Sequence, residues 1–169
     1  MKNRVAAVCG LKNSGKTTLM EQLISALSAR GYRTAAIKHD GHEFACDIPG
    51  TDSDRFMQAG AFGSAVYSAS QMFVRKTGFS GDAGELFSLF PEADIILVEG
   101  MKDSALPKIE VVREGIGIGP VSNPEGRFLI VTDLPAENFP GEETASFAET
   151  DRIMELLLRH ACGAEEFRR

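Results

Sequence analysis

A glycine-rich loop between an apolar strand and an amphipathic helix constrains the fold of this chain most. The apolar run 4–9 ends at a glycine, which predicts a strand that is buried on both faces. The residues from Gly10 to Thr17 match the pattern Gly-x-x-x-x-Gly-Lys-Ser/Thr at every fixed position. Apolar residues then recur at helical spacing over 16–30, and Gly31 follows where a C-terminal cap belongs. The pattern indicates a phosphate-binding loop only when a strand precedes it and a helix follows it, and both are predicted here.

The order of the next elements predicts an α/β fold. A second strand over 33–38 completes a strand–helix–strand unit, whose two strands are parallel because the helix crosses between them. We therefore expect a doubly wound, mainly parallel sheet flanked by helices, as in P-loop NTPases. The runs 64–68 and 71–76 predict two more strands, which are close enough in sequence to form an antiparallel hairpin.

The rest of the chain is predicted to extend the same sheet. Further strands are expected at 94–99, 107–113 and 128–132, and further helices at 52–59, 81–90 and 150–161. A chain of 169 residues is long enough to bury a core of its own, so we expect a single domain over residues 1–169.

Charge and cysteine content exclude some classes of function. A formal net charge of −6, without a run of basic residues, argues against non-specific binding to nucleic acid. The three cysteines contain no Cys-x-x-Cys pair, which fits free thiols in a reducing compartment. No apolar stretch approaches the roughly 20 residues of a membrane span. We expect a cytoplasmic protein that has no membrane or nucleic-acid partner.

The glycine-rich loop predicts a nucleoside triphosphate with Mg²⁺ as the ligand. Glycine lets successive backbone N–H groups turn toward a phosphate, and the N-terminus of the helix adds its partial positive charge. Lys16 is expected to reach the β- and γ-phosphate oxygens, Thr17 to bind Mg²⁺, and Thr18 to contact the α-phosphate. The predicted phosphate-binding residues are Gly10, Lys12, Asn13, Ser14, Gly15, Lys16, Thr17 and Thr18.

An acidic residue at the end of a second buried strand is the other requirement of such a site. Glu99 ends the clearest buried run, 94–99, and is the predicted ligand of the metal's water shell or the residue that positions the attacking water. Asp94 begins the same run and is expected at the opposite edge of the sheet. Lys16 and Glu99 are therefore the predicted catalytic residues, and Thr17, Glu99 and Asp40 are the predicted metal-binding residues.

The loop after the second strand concentrates polar side chains at the edge of a parallel sheet where ligands bind. Asp40 is placed to assist Mg²⁺, and His39 or His42 to contact phosphate or a second substrate. A metal site formed by His39, His42 and Cys46 is an alternative, although its spacing is not an established zinc pattern. Solvated loop side chains are the other alternative.

The residues alone do not determine which base the protein binds. GTPases read guanine with an aspartate in an Asn/Thr-Lys-x-Asp motif, and this chain has no full copy. Asp133 follows the strand 128–132 and is a candidate base reader, with loop capping as the alternative. The residues alone do not separate ATP from GTP.

Five separated segments together resemble the MobB family, the molybdopterin-guanine dinucleotide biosynthesis protein B family. The segments are GLKNSGKTTL, IKHDGHEF, TDSDRFMQAGA, ILVEGMK and LPKIEVVR. The resemblance implies a dimeric GTP-binding protein with weak GTPase activity. It also implies action beside a MobA-like guanylyltransferase, which joins GMP to molybdopterin. His39, Asp40 and His42 would then line the open site, and Lys102 and Lys108 would face an anionic ligand.

Three other functions share the glycine-rich loop. A small-molecule kinase would need a lid of arginines, and Arg55, Arg75 and Arg113 are scattered in the sequence. A metal-insertion GTPase would need a convincing set of Cys and His ligands. An adaptor would use the nucleotide only to hold a shape that its partner binds. Because no arginine finger is evident within the chain, we expect slow intrinsic hydrolysis.

Overall fold

The computed structural model describes residues 3–40, 44 and 46–167, which form two compact units. The first unit comprises Met1–His39 and Ala83–Arg169, and the second comprises Asp40–Asp82. The first unit contains strands β1 (Arg4–Gly10), β2 (Thr34–Lys38), β5 (Ile95–Glu99), β6 (Lys108–Val112), β7 (Arg127–Thr132), β8 (Thr144–Ala145) and β9 (Cys162–Gly163), and helices α1 (Lys16–Ala29), α3 (Ala83–Phe87) and α4 (Thr150–His160). The second contains helix α2 (Asp52–Gln58) and strands β3 (Gly63–Tyr67) and β4 (Met72–Lys76).

The first unit is built on one mainly parallel sheet. Its strand order is β2-β5-β1-β6-β7-β8, and these six strands run parallel, while β9 pairs antiparallel with the start of β1. The strands β2 and β5 lie on one side of β1, and the later strands β6, β7 and β8 lie on the other, so the strand order reverses at β1. In open α/β sheets the crevice at the carboxyl end of such a switch point is where ligands bind. The predicted α/β class is confirmed.

Helices cover both faces of this sheet. Alternate residues of β1 point to opposite faces, so Val8 packs with Leu23 of α1 and Ile153 of α4, and Val5 packs with Phe87 of α3. Each of these side chains is almost completely buried. Burial of one such side chain stabilises the fold by about 1.5–3 kcal/mol. The core therefore fixes β1 rigidly, and with it the loop that follows.

The second unit contains the predicted antiparallel hairpin. β3 pairs with β4 in a register that runs from Gly63 opposite Lys76 to Tyr67 opposite Met72. The Arg75 guanidinium lies 3.4 Å from Asp47 Oδ2 and 3.2 Å from Asp54 Oδ1. Desolvation, the largest single influence, acts to raise the pKa of Asp47, but the hydrogen bonds that it accepts, first from Ser53, hold that pKa below its ordinary value. Ionic contacts thus contribute to the order of this small unit.

The boundaries differ from the sequence prediction at a few places. The helix predicted over 81–90 is only Ala83–Phe87, because Gly81 has a positive φ of 83° and the backbone before Pro91 closes in tighter i−3 turns. The two-residue strands β8 and β9 were not predicted. Within the described residues, no helix is both long and apolar enough to cross a membrane.

Candidate nucleotide-binding site

The glycine-rich loop takes a conformation that its glycines make possible. Gly10 ends β1 with φ 135°, and a β-carbon at this position would overlap the carbonyl oxygen of Val111 on the neighbouring strand β6. Gly15 caps α1 with φ 100°, and Asn13 between them has φ 64°. Residues with a β-carbon rarely adopt a positive φ, although asparagine does so more often than most. The loop therefore lies close to β6, and its backbone turns sharply between the end of β1 and the start of α1.

The side chains of the loop differ in their burial. Lys12, Asn13 and Thr18 are exposed, whereas Ser14 is buried. The Lys16 ammonium donates a hydrogen bond to the carbonyl oxygen of Leu11 at 2.8 Å. The lysine thus lies along the loop backbone, at the N-terminus of α1, where an anion is stabilised by the helix dipole.

Thr17 and Glu99 meet directly, although 82 positions separate them in the chain. The Thr17 hydroxyl donates a hydrogen bond to Glu99 Oε2 at 2.9 Å. Glu99 reaches this position because β5 lies beside β1, with Val8 opposite Glu99 in the register. The next residue, Gly100, has φ 107° and donates its N–H to the carbonyl oxygen of Val8. Two of the three residues predicted to bind the metal, Thr17 and Glu99, are therefore adjacent.

The oxygen atoms at this place fit a hard divalent cation. Mg²⁺ prefers oxygen ligands and is usually bound by one or two protein side chains together with substrate phosphates. The Thr17 hydroxyl and the Glu99 carboxylate supply such oxygens side by side. The Ser14 hydroxyl is buried and has no hydrogen-bond partner among the described residues, which leaves one polar group inside the loop unsatisfied.

The predicted loop after β2 is only partly described. The backbone N–H of His39 donates to the carbonyl oxygen of Glu99 at 2.9 Å, and a β-carbon at Gly100 would lie 3.1 Å from the His39 carbonyl oxygen. His39 therefore borders the end of β5. Asp40 is exposed and belongs to the second unit. His42 lies outside the described residues. The metal site predicted from His39, His42 and Cys46 therefore stays a prediction.

Asp133 makes the loop contacts that the alternative prediction gave it. Its Oδ1 accepts a hydrogen bond from the backbone N–H of Glu114 at 2.8 Å, and its Oδ2 lies 3.5 Å from Nε of Arg113. Both carboxylate oxygens are thus engaged with the loop that follows β6. The role of Asp133 in reading a base stays a prediction.

Arg113 lies beside the glycine-rich loop, and the sequence analysis did not predict this contact. Its guanidinium carbon lies 4.4 Å from the centre of the Phe147 ring. A β-carbon at Gly15 would stand 4.0 Å from Arg113 Nη1 and 3.8 Å from Phe147 Cε1. We call Arg113, Asp133 and Phe147 the β6–β8 cluster, because they follow three successive strands of the sheet. The signal available in the sequence was that Arg113 is the last residue of the strand predicted over 107–113.

The turn that carries Phe147 is fixed by local hydrogen bonds. Glu149 accepts hydrogen bonds from the backbone N–H of Ser146 at 2.7 Å and from its hydroxyl at 2.9 Å. The Ser146 backbone first, and then the Arg152 guanidinium, lower the pKa of Glu149 to about 2. The carboxylate is therefore charged at neutral pH, and the turn keeps these bonds.

Lys108 does not face a ligand, so that expectation is wrong. Its ammonium is buried and donates to the carbonyl oxygens of Ser104, Asn123 and Glu125. Burial is the largest influence, and it lowers the pKa of Lys108. Because three carbonyls satisfy its three donors, the ammonium serves to hold the chain around β6. Lys102 is half-exposed and pairs with Asp103 at 3.5 Å.

A buried carboxylate anchors the same region. Glu110 of β6 accepts hydrogen bonds from the backbone N–H and hydroxyl of Ser122 and from the backbone of Val121. The Arg127 guanidinium lies 3.3 Å from Glu110 Oε2. A buried ion pair of this kind requires its hydrogen bonds, because an unpaired buried charge costs about 3–5 kcal/mol. The network therefore fixes the segment between β6 and β7, which includes Gly117 beside Leu11 of the glycine-rich loop.

The sheet order, the loop at the switch point and the Thr17–Glu99 pair define a fold of the P-loop NTPase type. The family model for MobB, molybdopterin guanine dinucleotide synthesis protein B, matches residues 5–133, and the chain belongs to this family.

Individual relatives agree with this assignment. The chain is 37% identical over 138 residues to the molybdopterin-guanine dinucleotide biosynthesis adapter protein of Escherichia coli (strain K12), with 76% of this chain and 78% of that protein covered. It is 32% identical to the adapter protein of the same name from Haemophilus influenzae, with 97% and 96% covered. The crystal structure of Bacillus subtilis MobB is similar with a TM-score of 0.71 at 25% identity, over 95% of this chain and 99% of that one.

Proposed function

We propose that this chain is an adapter protein of molybdopterin-guanine dinucleotide biosynthesis that binds GTP with Mg²⁺ and hydrolyses it slowly. In this proposal it acts as a homodimer beside a MobA-like guanylyltransferase and its molybdopterin substrate. The biosynthetic role is supported by the adapter proteins of E. coli and H. influenzae, which the chain resembles over most of its length. The role of the nucleotide is supported by the chain's own residues.

The hydrogen bond between Thr17 and Glu99 is the observation that carries the nucleotide proposal. It joins the first turn of α1 to the end of β5, beside the Lys16 ammonium and the turned backbone of the loop. A hydroxyl and a carboxylate at hydrogen-bond distance are the oxygen donors that a magnesium–triphosphate complex requires. A glycine-rich turn without this partner strand would lack the carboxylate.

The residues of the chain have separate tasks in this proposal. The backbone N–H groups at the start of α1 and the Lys16 ammonium bind the phosphates and stabilise the charge that develops during hydrolysis. Thr17 and Glu99 would hold the metal and its water shell, and the Glu99 carboxylate would also orient an attacking water. Bound Mg²⁺ would neutralise charge on the phosphate oxygens.

Homodimer formation is supported by the second unit. The hairpin of β3 and β4 exposes apolar side chains on both of its faces: Val66 and Phe73 on one, and Tyr67, Met72 and Val74 on the other. A second copy of the chain would cover these faces. Sedimentation equilibrium should give twice the chain mass at micromolar concentration, and a Val66→Lys variant should sediment as a monomer; a monomeric parent protein would rule out the dimer.

The kinase alternative has little support in the second unit. Two of the three candidate lid arginines are paired with carboxylates there: Arg55 lies 3.6 Å from Asp52, and Arg75 contacts Asp47 and Asp54. For a metal-insertion GTPase, the described residues contain no group of three or more His, Cys, Asp or Glu side chains that could hold a metal ion.

Calorimetric titration with GTP and with ATP, each with Mg²⁺, tests the nucleotide proposal. GTP should bind more tightly than ATP, and Lys16→Ala should weaken GTP binding by about 100-fold, because a charge-assisted contact to phosphate is worth about 1.5–3 kcal/mol. The circular dichroism spectrum of the variant should match the parent, since the hydrogen bond that Lys16 makes to Leu11 lies within the loop. Absence of GTP binding by the parent protein would refute the proposal.

A further inference from the structure

The two sides of the glycine-rich loop offer different chemistry. On the β5 side, Thr17 and Glu99 present oxygen atoms suited to a metal. On the other side of β1, the β6–β8 cluster presents a guanidinium, a carboxylate and an aromatic ring. If Thr17 and Glu99 hold the metal of a metal–triphosphate complex, the terminal phosphate would lie toward β5. The nucleoside must then leave the loop on the opposite side, toward the β6–β8 cluster.

Arg113 is held in this cluster with donors to spare. The Phe147 ring lies against the guanidinium and Asp133 lies beside Nε, so its orientation is fixed from two directions. Within the described part of the chain, Asp133 is the one charged group that it contacts. The Arg113 side chain remains 41% exposed. A guanidinium has five N–H donors, and one carboxylate uses at most two of them.

We propose that Arg113 recognises the base of the bound nucleotide and selects guanine, an inference that rests on the proposed function. Guanine presents two adjacent acceptors, O6 and N7, which match the donor fork of an arginine. Adenine presents the N7 acceptor but an N6 amino group, which repels a second donor. The proposal explains guanine selection without the missing lysine-containing motif.

Asp133 acts as a positioning residue in this arrangement. Its Oδ1 accepts from the Glu114 backbone and its Oδ2 lies 3.5 Å from Arg113 Nε, so in this proposal the carboxylate orients the guanidinium and Arg113 contacts the base. A direct reader of guanine would instead accept from N1–H and the 2-amino group. The two possibilities differ in which edge of the base is read, and inosine triphosphate separates them, because it keeps O6 and N7 but lacks the 2-amino group.

The test is a calorimetric comparison of GTP, ITP and ATP, each with Mg²⁺, on the parent protein and on Arg113→Met, which keeps the packing against Phe147. In the parent, ITP should bind within about threefold of GTP. In the variant, GTP and ITP should each bind about 10-fold more weakly while ATP changes little, in line with the 1–3 kcal/mol of one bidentate contact. Arg113→Lys, which keeps a donor, should retain part of the preference and covers the case that the methionine variant does not fold.

Arg30→Ala is the matched control, because Arg30 is 43% exposed and also pairs with a single aspartate, at the far end of α1. It should leave all three affinities unchanged. Equal losses for GTP and ATP in Arg113→Met would mean that the arginine contacts phosphate, and ITP binding much weaker than GTP in the parent would mean that the 2-amino group is read; either result overturns the inference. A parent protein that binds no nucleotide refutes the proposed function itself.

Discussion

The β5 side and the β6–β8 side of the glycine-rich loop are assembled in different ways. On the β5 side, one hydrogen bond joins a motif residue, Thr17, to the last residue of an adjacent strand. On the other side, Arg113, Asp133 and Phe147 come from three separate strand ends and meet through an ion pair and a stacked ring. Metal chemistry requires fixed residue types, whereas a base can be recognised by many combinations. The first side is therefore the one that a sequence motif reveals.

Breaking the loop itself should affect both sides and have the largest effect. Gly10→Ala places a β-carbon against the Val111 carbonyl oxygen at φ 135°, and we expect unfolding free energy to fall by about 3 kcal/mol or more from the overlap and backbone strain. Urea unfolding followed by circular dichroism measures this loss.

Gly31→Ala is the control for backbone strain alone. Gly31 has φ 81°, and a β-carbon there meets nothing within 4 Å, so its cost should be only about 1–2 kcal/mol. Equal losses for the two variants would show that the contact between the loop and β6 contributes nothing.

A change confined to the β5 side should separate hydrolysis from base preference. Glu99→Gln removes the charge beside Thr17, and we expect GTP hydrolysis to slow by about 100-fold, while the ratio of GTP to ATP affinity stays as in the parent. Phosphate release measured at saturating GTP, together with titrations of both nucleotides, gives the two quantities.

Asp94→Asn is the control for Glu99→Gln, because Asp94 lies at the opposite end of β5 from Glu99. Asp94 immediately precedes β5, and its carboxylate accepts from the backbone N–H of Arg33 at 2.8 Å. Its loss should leave hydrolysis unchanged. If Glu99→Gln hydrolyses GTP at the parent rate, Glu99 has no part in the reaction.

Much of the fold followed from local patterns. The buried strands and α1 were predicted because their apolar residues repeat with the period of the element, and Glu99 because it ends such a strand. Phe147 was missed because it follows a strand of only two residues, which is too short to show a period. Lys108 was misjudged because its role was inferred from the resemblance alone, and the three carbonyls that satisfy it lie in turns before and after β6 that no local pattern brings together.

A crystal structure of the protein with Mg²⁺ and a non-hydrolysable GTP analogue would show whether β1 separates a metal side from a base side. We expect the metal at Thr17 and Glu99, and the guanine O6 and N7 within hydrogen-bond distance of the Arg113 guanidinium. A base bound on the β5 and β2 side of the loop, or a metal that neither Thr17 nor Glu99 serves, would contradict it.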